Sequence, residues 1–189
     1  MLMAQHLIGF GVGGTLSQIN FAFSDTSPDT GITTPNNGDL MVGLFIDTPT
    51  GFTSVVGPGP RIAYKISDGT ETSLSDPGIL IVFRGNTSIS TVADFDGDFE
   101  NTAGNPSSQT ITSGSGIAPL LVLGAFLSDG TVNPRTFSPA KDGEVNGTTG
   151  VGDSWLAYKI YNSSPSDVTI DMDDEGSDQW LISIYLQLA

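Results

Sequence analysis

The sequence predicts an all-β fold, a single antiparallel β-sandwich made of two pseudo-repeated halves behind a Gly-rich N-terminal arm. Three observations predict it. The chain echoes itself: Ile62-Ala63-Tyr64-Lys65-Ile66 returns as Leu156-Ala157-Tyr158-Lys159-Ile160, and Gly43-Leu44-Phe45-Ile46 as Gly124-Ala125-Phe126-Leu127. Pro49-Thr50-Gly51-Phe52-Thr53 likewise answers Pro134-Arg135-Thr136-Phe137-Ser138, and each copy closes on an apolar run, Ile79 to Phe83 and Trp180 to Leu186. Strand-like repeats of this kind must stack to bury their apolar faces. Second, 24 glycines and 11 prolines cut the chain into short apolar runs, the punctuation of an all-β domain. Third, no window sustains the 3.6-residue apolar period of a long amphipathic helix.

The elements follow in order. Residues 1–16 form the arm or an edge strand, anchored by Leu7, Ile8, Phe10 and Val12, and residues 17–189 form the sandwich domain. Ile19, Phe21 and Phe23 alternate with small or polar neighbours, as in a half-buried strand. A polar loop runs from Ser27 to Gly38, and Leu40 to Ile46 reads as a central strand. In Arg61 to Ile66, the two-residue period turns Ile62, Tyr64 and Ile66 inward and leaves Arg61, Ala63 and Lys65 outside. The second copy turns Leu156, Tyr158 and Ile160 inward, with Trp155, Ala157 and Lys159 outside. The identical tetrapeptides Ser67-Asp68-Gly69-Thr70 and Ser128-Asp129-Gly130-Thr131 predict tight hairpins, and Asp76-Pro77-Gly78 a turn before the strand Ile79 to Phe83. Residues 100–116 are polar and read as a loop or an edge strand where the halves join. Further strands are expected at 117–127, 155–161, 168–172 and 179–188, making about nine or ten in two packed, jelly-roll-like sheets.

At 189 residues the chain suits one domain with a sizeable core. Six basic residues against 21 acidic ones give a net charge of −15, which repels phosphate backbones and anionic headgroups. Neither nucleic acid nor membrane is an expected partner. No apolar stretch is long enough to span a bilayer, and the first residues lack the basic and apolar regions of a secretory signal peptide. The absence of cysteine excludes disulfides and thiolate chemistry.

No catalytic, cofactor-binding or metal-binding residues are assigned. His6, the single histidine, sits on the arm, away from any rigid cleft that a Ser-His-Asp arrangement would need. A glycan hydrolase needs two converging carboxylates, and most acidic residues here stand in Asp-Gly or Asp-Pro turns, where they cap backbone N–H groups. Asp94-Phe95-Asp96-Gly97-Asp98-Phe99-Glu100 spaces carboxylates at every second residue, sharing one face if extended. It fails the EF-hand pattern, because Gly97 is its fourth residue and Asn105 stands where the bidentate acid belongs. Asp171, Asp173, Asp174, Glu175 and Asp178 form a second acidic cluster, read as a solvated hairpin tip. Whether either stretch, 94–100 or 171–178, takes calcium stays open. Trp155 and Trp180 suit core packing better than a sugar platform. Lys65, Lys159 and Arg84 suit cross-strand pairs better than bonds to a neighbouring subunit. Gly9-Phe10-Gly11-Val12-Gly13-Gly14 has neither the helix nor the lysine of a phosphate loop. The sequons at Asn86, Asn146 and Asn162 read as chance.

Gly38-Asp39-Leu40-Met41-Val42, Pro49-Thr50-Gly51-Phe52-Thr53-Ser54 and Val82-Phe83-Arg84-Gly85 together resemble a recurrent pattern. It is similar to that of β-sandwich virion structural proteins of tailed bacteriophages. In those proteins Gly-Asp-Leu opens an apolar strand, Pro-x-Gly-Trp/Phe-Thr makes a turn, and a strand closes on Tyr/Phe-Arg-Gly. The match covers residues 37–85, with Phe52 where tryptophan is commoner. The second copy lacks both the Gly-Asp-Leu opening and the Arg-Gly close. The resemblance implies a non-enzymatic role on the virion exterior, after assembly in the host cytoplasm. A capsid decoration or cement protein is favoured, and a tail or fibre domain binding host-surface glycan is the alternative. Implied partners are the phage major capsid protein, other virion proteins and further copies of the chain, a trimer among them.

Overall fold

The computed structural model describes residues 16–24, 35–56, 59–72, 78–85, 89–102, 108–111, 120–128, 132–149, 152–174 and 179–188. They form thirteen strands: β1 (Leu16–Ser24), β2 (Leu40–Phe45), β3 (Thr53–Val56), β4 (Arg61–Ile66), β5 (Gly78–Gly85), β6 (Val92–Thr102), β7 (Ser108–Ile111), β8 (Leu120–Ser128), β9 (Val132–Ser138), β10 (Gly143–Thr149), β11 (Gly152–Tyr161), β12 (Val168–Asp174) and β13 (Gln179–Leu188). All pairings are antiparallel. The fold is all-β.

Three sheets result, not two. The first has the order β1-β5-β2-β4-β3, the second β10-β11-β8-β13-β6, and a third, three-stranded sheet β7-β12-β9. Leu40, Val42, Leu44, Ile62, Ile81 and Phe83 of the first sheet share one core with Leu121, Leu123, Leu156, Tyr158, Ile182 and Ile184 of the second. Phe83 and Tyr158 meet edge-on across it, ring centres 4.9 Å apart. The opposite face of the second sheet, with Val122, Phe126, Trp155, Ala157 and Leu181, packs on Ile111, Phe137, Val168 and Ile170 of the third. The second sheet is therefore the middle of three layers. Strands buried on both faces read as continuous apolar runs rather than alternating ones, which is why Leu120 to Leu127 is apolar or glycine throughout and wholly buried. The first sheet has an outer cluster too: Met41, Phe45, Ala63, Leu80 and Val82, all nearly inaccessible, with Phe52 against them.

Several sequence expectations are corrected. The single two-sheet sandwich becomes three layers, because short polar segments at 108–111, 132–138 and 168–174 pair with one another and roof the second sheet. Nor is the order that of a jelly roll, since the first sheet takes all five of its strands from the consecutive run β1 to β5. The first Asp-Gly tetrapeptide makes no hairpin, and residues 129–131 of the second lie outside the described residues. β4 and β5 are separated by β2, while β8 and β9 lie in different sheets. Gly69 adopts φ +85° in a turn where Ser67 Oγ accepts its N–H. The inward faces of β4 and β11 are as expected, but Trp155 and Ala157 of the outer face are fully buried under the third sheet. Of the arm, residues 1–15 lie outside the described residues, and Leu16 opens β1.

Read from opposite ends, the two large sheets run β1-β5-β2-β4-β3 and β6-β13-β8-β11-β10. Two of the echoed segments hold corresponding places: Gly43 on β2 faces Ala63 on β4, and Gly124 on β8 faces Ala157 on β11. By contrast, Pro134 to Ser138 lies on β9 of the third sheet, and its echo Pro49 to Thr53 leads into β3 of the first. Both glycines are crowded. A Cβ on Gly43 would stand 2.5 Å from the Ile79 carbonyl oxygen, and one on Gly124 would stand 2.3 Å from Cδ1 of Ile170.

Candidate functional site

The basic side chains that attracted attention are spent inside the molecule. Arg84 on β5 donates through Nε and Nη2 to the two Asp39 oxygens, at 2.8 and 2.6 Å. Asp39 is almost fully buried and also accepts the Asn36 N–H at 2.7 Å. A two-pronged bond to a carboxylate is the strong form of this interaction, and hydrogen bonding to Asp39 holds the guanidinium pKa above its ordinary value. Lys65 pairs with Glu71 at 2.7 Å, while Ser67 donates its hydroxyl to the same carboxylate. Burial raises the Glu71 pKa, but the Lys65, Ser67 and backbone bonds outweigh it and hold the group at about 2. Lys159 donates to Asp142 at 2.8 Å, and Asp142 also accepts the Ile160 N–H.

The tryptophans make no platform. Trp155 is inaccessible and donates its indole N–H to Glu144 at 2.6 Å, and Trp180 packs half-buried against the main core. Of the four glutamates, Glu71 and Glu144 are thus tied to structural partners. His6, Glu175 and Asp178 lie outside the described residues.

The acidic stretch 94–100 is a strand. Asp94, Asp96 and Asp98 lie opposite Gln187, Tyr185 and Ser183 on β13, so they share one face of the edge strand β6. Phe95 points the other way and meets Tyr64 of the first sheet edge-on at 5.9 Å. Asp94 and Asp98, four residues apart along an extended strand, stand about 13 Å from each other, too far for all three carboxylates to converge on one cation. No group of three acidic or histidine side chains among the described residues could hold a metal ion.

These carboxylates line a hollow. Asp96, Gly97 and Asp98 form one wall, Thr110 and Ile111 of β7 the other, and Tyr185 the floor, enclosing about 330 Å³. Tyr185 donates its hydroxyl to Asp94 at 3.2 Å. Burial, that bond, and the charges of Asp94 and Asp96 together raise its pKa. Beside the hollow, Ser183 donates to Oε1 of the buried Gln109 at 2.7 Å, and the Gln109 amide nitrogen has no hydrogen-bond partner. Sequence reasoning found the carboxylate face but missed Thr110, Ile111 and Tyr185. The available signals were the alternation Gln109-Thr110-Ile111 and the polar interruptions Ser183 and Tyr185 in an otherwise apolar strand. Chemically the hollow offers negative charge, hydroxyls and one apolar wall, which suits a cationic or polyhydroxylated group.

No protein-family model matches the chain, and neither a curated protein nor a solved structure is detectably similar to it.

Proposed function

We propose that this chain is a non-enzymatic structural protein of a phage virion, most plainly a head decoration or cement protein. The observation that carries the reading is the Asp39–Arg84 clasp. Its two halves are the Gly-Asp-Leu and Phe-Arg-Gly motifs on which the resemblance rests. In space they are one device that locks the start of β2 to the end of β5, so the motifs answer to a shared structural demand rather than to turn chemistry alone. The surrounding design supports the same reading: Lys65, Arg84 and Lys159 brace turns to strands. We further infer that the two five-stranded sheets are copies of one unit, supported by their matching strand order and the Gly43–Ala63 and Gly124–Ala157 register.

The test is the amount of this protein in purified particles relative to the major shell protein, by quantitative mass spectrometry. Copies in proportion to the shell support decoration, and its complete absence overturns the virion reading. A few copies per particle transfer it to the tail or a fibre. The hollow lined by Asp96, Asp98, Thr110 and Tyr185 favours that second reading, a domain binding host-surface glycan, since carboxylates and hydroxyls accept and donate to sugar hydroxyls. A glycan array decides it, and no binding removes it.

A further inference from the structure

The open edge of the middle sheet has the form of a docking site. β6 is eleven residues long, and the other edge strands have nine, seven or four. It pairs with β13 in unbroken register from Thr102 to Asp94, and no described strand pairs on its other side. Such an edge presents a row of N–H and C=O groups ready to accept another strand. β1, β3 and β9 carry a register shift, β7 is only four residues long, and β10 runs unbroken over only seven. β6 has its own shift at Ala93 but keeps continuous pairing beyond it. On β6, Ala93, Asp94, Phe95, Asp96 and Asp98 are all exposed, on both faces. Phe95 is the one large hydrophobic side chain exposed among the described residues.

Charged side chains guard an edge against pairing with its own kind. Three of one sign on one face guard it against neutral and acidic strands and leave it selective for a basic one. We propose that the β6 edge takes up an extended segment of a basic partner protein, added to the middle sheet as a sixth strand. Lysine or arginine at alternate positions meets Asp94, Asp96 and Asp98, because the two-residue repeat is the same on both strands. The intervening apolar side chains cover Phe95 on the opposite face. The hollow takes one basic side chain, its methylenes along Ile111 and its charged head toward Asp96 and Asp98. A second copy of this chain is the wrong occupant, since two bodies of net charge −15 repel. This inference stands whether or not the protein belongs to a virion. It requires only the strand and its charge.

The test uses the full chain and a synthetic peptide of alternating lysine and valine, matched to the length of β6, read by fluorescence anisotropy. A peptide of identical composition with lysines and valines in separate blocks is the control for charge alone. The alternating peptide should bind at least about tenfold more tightly than the blocked one and slow amide exchange across residues 93–101. The triple substitution Asp94→Asn, Asp96→Asn, Asp98→Asn should weaken binding about tenfold, with unchanged near-ultraviolet circular dichroism showing that the fold is intact. Equal affinity for both peptides, binding without slowed exchange at 93–101, indifference to the triple substitution, or no binding would each overturn the proposal.

Discussion

The first and middle sheets share strand order and the register of their echoed glycines, yet they treat their outer faces and ends differently. On β4 the position outside the shared core is Arg61, which reaches the Gly59 carbonyl and the Thr48 hydroxyl. The corresponding position on β11 is Trp155, sealed beneath the third sheet. At the strand ends, the first sheet has the Asp39–Arg84 clasp. By register from Gly43 and Gly124, the matching places in the middle sheet hold Leu120 and Gln187. Neither member of the clasp has a counterpart there, as expected of groups that are useful only as a pair. One strand arrangement thus supports two solutions: a buried carboxylate clasped by an arginine in the first sheet, and in the middle sheet Leu120 packed beneath the third.

The largest effect should come from exchanging the outer-face residues. Trp155→Arg forces a charge under the third sheet and should cost about 4 kcal/mol or more, whereas Arg61→Trp should cost no more than about 1 kcal/mol. Urea unfolding of the two variants measures the asymmetry. Equal losses would mean that the two outer faces are alike and the comparison fails.

The clasp comes next. Arg84→Ala leaves the buried Asp39 carboxylate without its partner and should destabilise by about 3 kcal/mol. The double substitution Asp39→Leu with Arg84→Gln installs the residues found in the middle sheet and should lose less than Arg84→Ala alone. A double variant less stable than the single one would show that the clasp is not separable from its surroundings.

Glu71 supplies the smallest and most sharply pH-dependent difference. Its folded pKa of about 2 lies below the ordinary 4.5, so its contribution is complete above pH 4.5 and is lost as pH falls through about 2. Allowing for solvent screening around Lys65, that contribution is about 2 kcal/mol. Glu71→Gln should therefore lower the melting temperature at pH 7 and match the parent protein near pH 2. A constant gap across that range would exclude the ion pair as the cause.

Part of the candidate site was legible. Carboxylates at every second residue from Asp94 to Asp98 share a face of any extended strand, and the structure places them so. The opposing wall was not legible, because nothing local says that residues 108–111 lie alongside a strand ten residues earlier in the chain. Lys65, Lys159 and Arg84 are expected in cross-strand pairs; Arg84 and Lys159 reach Asp39 and Asp142 at the starts of the neighbouring strands, whereas Lys65 pairs with Glu71 in the turn after its own strand.

The sequence by itself determined the all-β class, the strands carrying the echoed segments, and which side of β4 and β11 faces the shared core. These follow from glycine and proline punctuation and a two-residue period, both local properties of the chain. Only the tertiary structure decided that there are three layers, that Trp155 is covered, and that β6 is left at an edge. Those depend on which strands pair across long stretches of sequence. Strands β7, β9 and β12, short and polar as they are, hold together through pairing with each other and through Ile111, Phe137, Val168 and Ile170 against the middle sheet. No local pattern encodes a partner that far away.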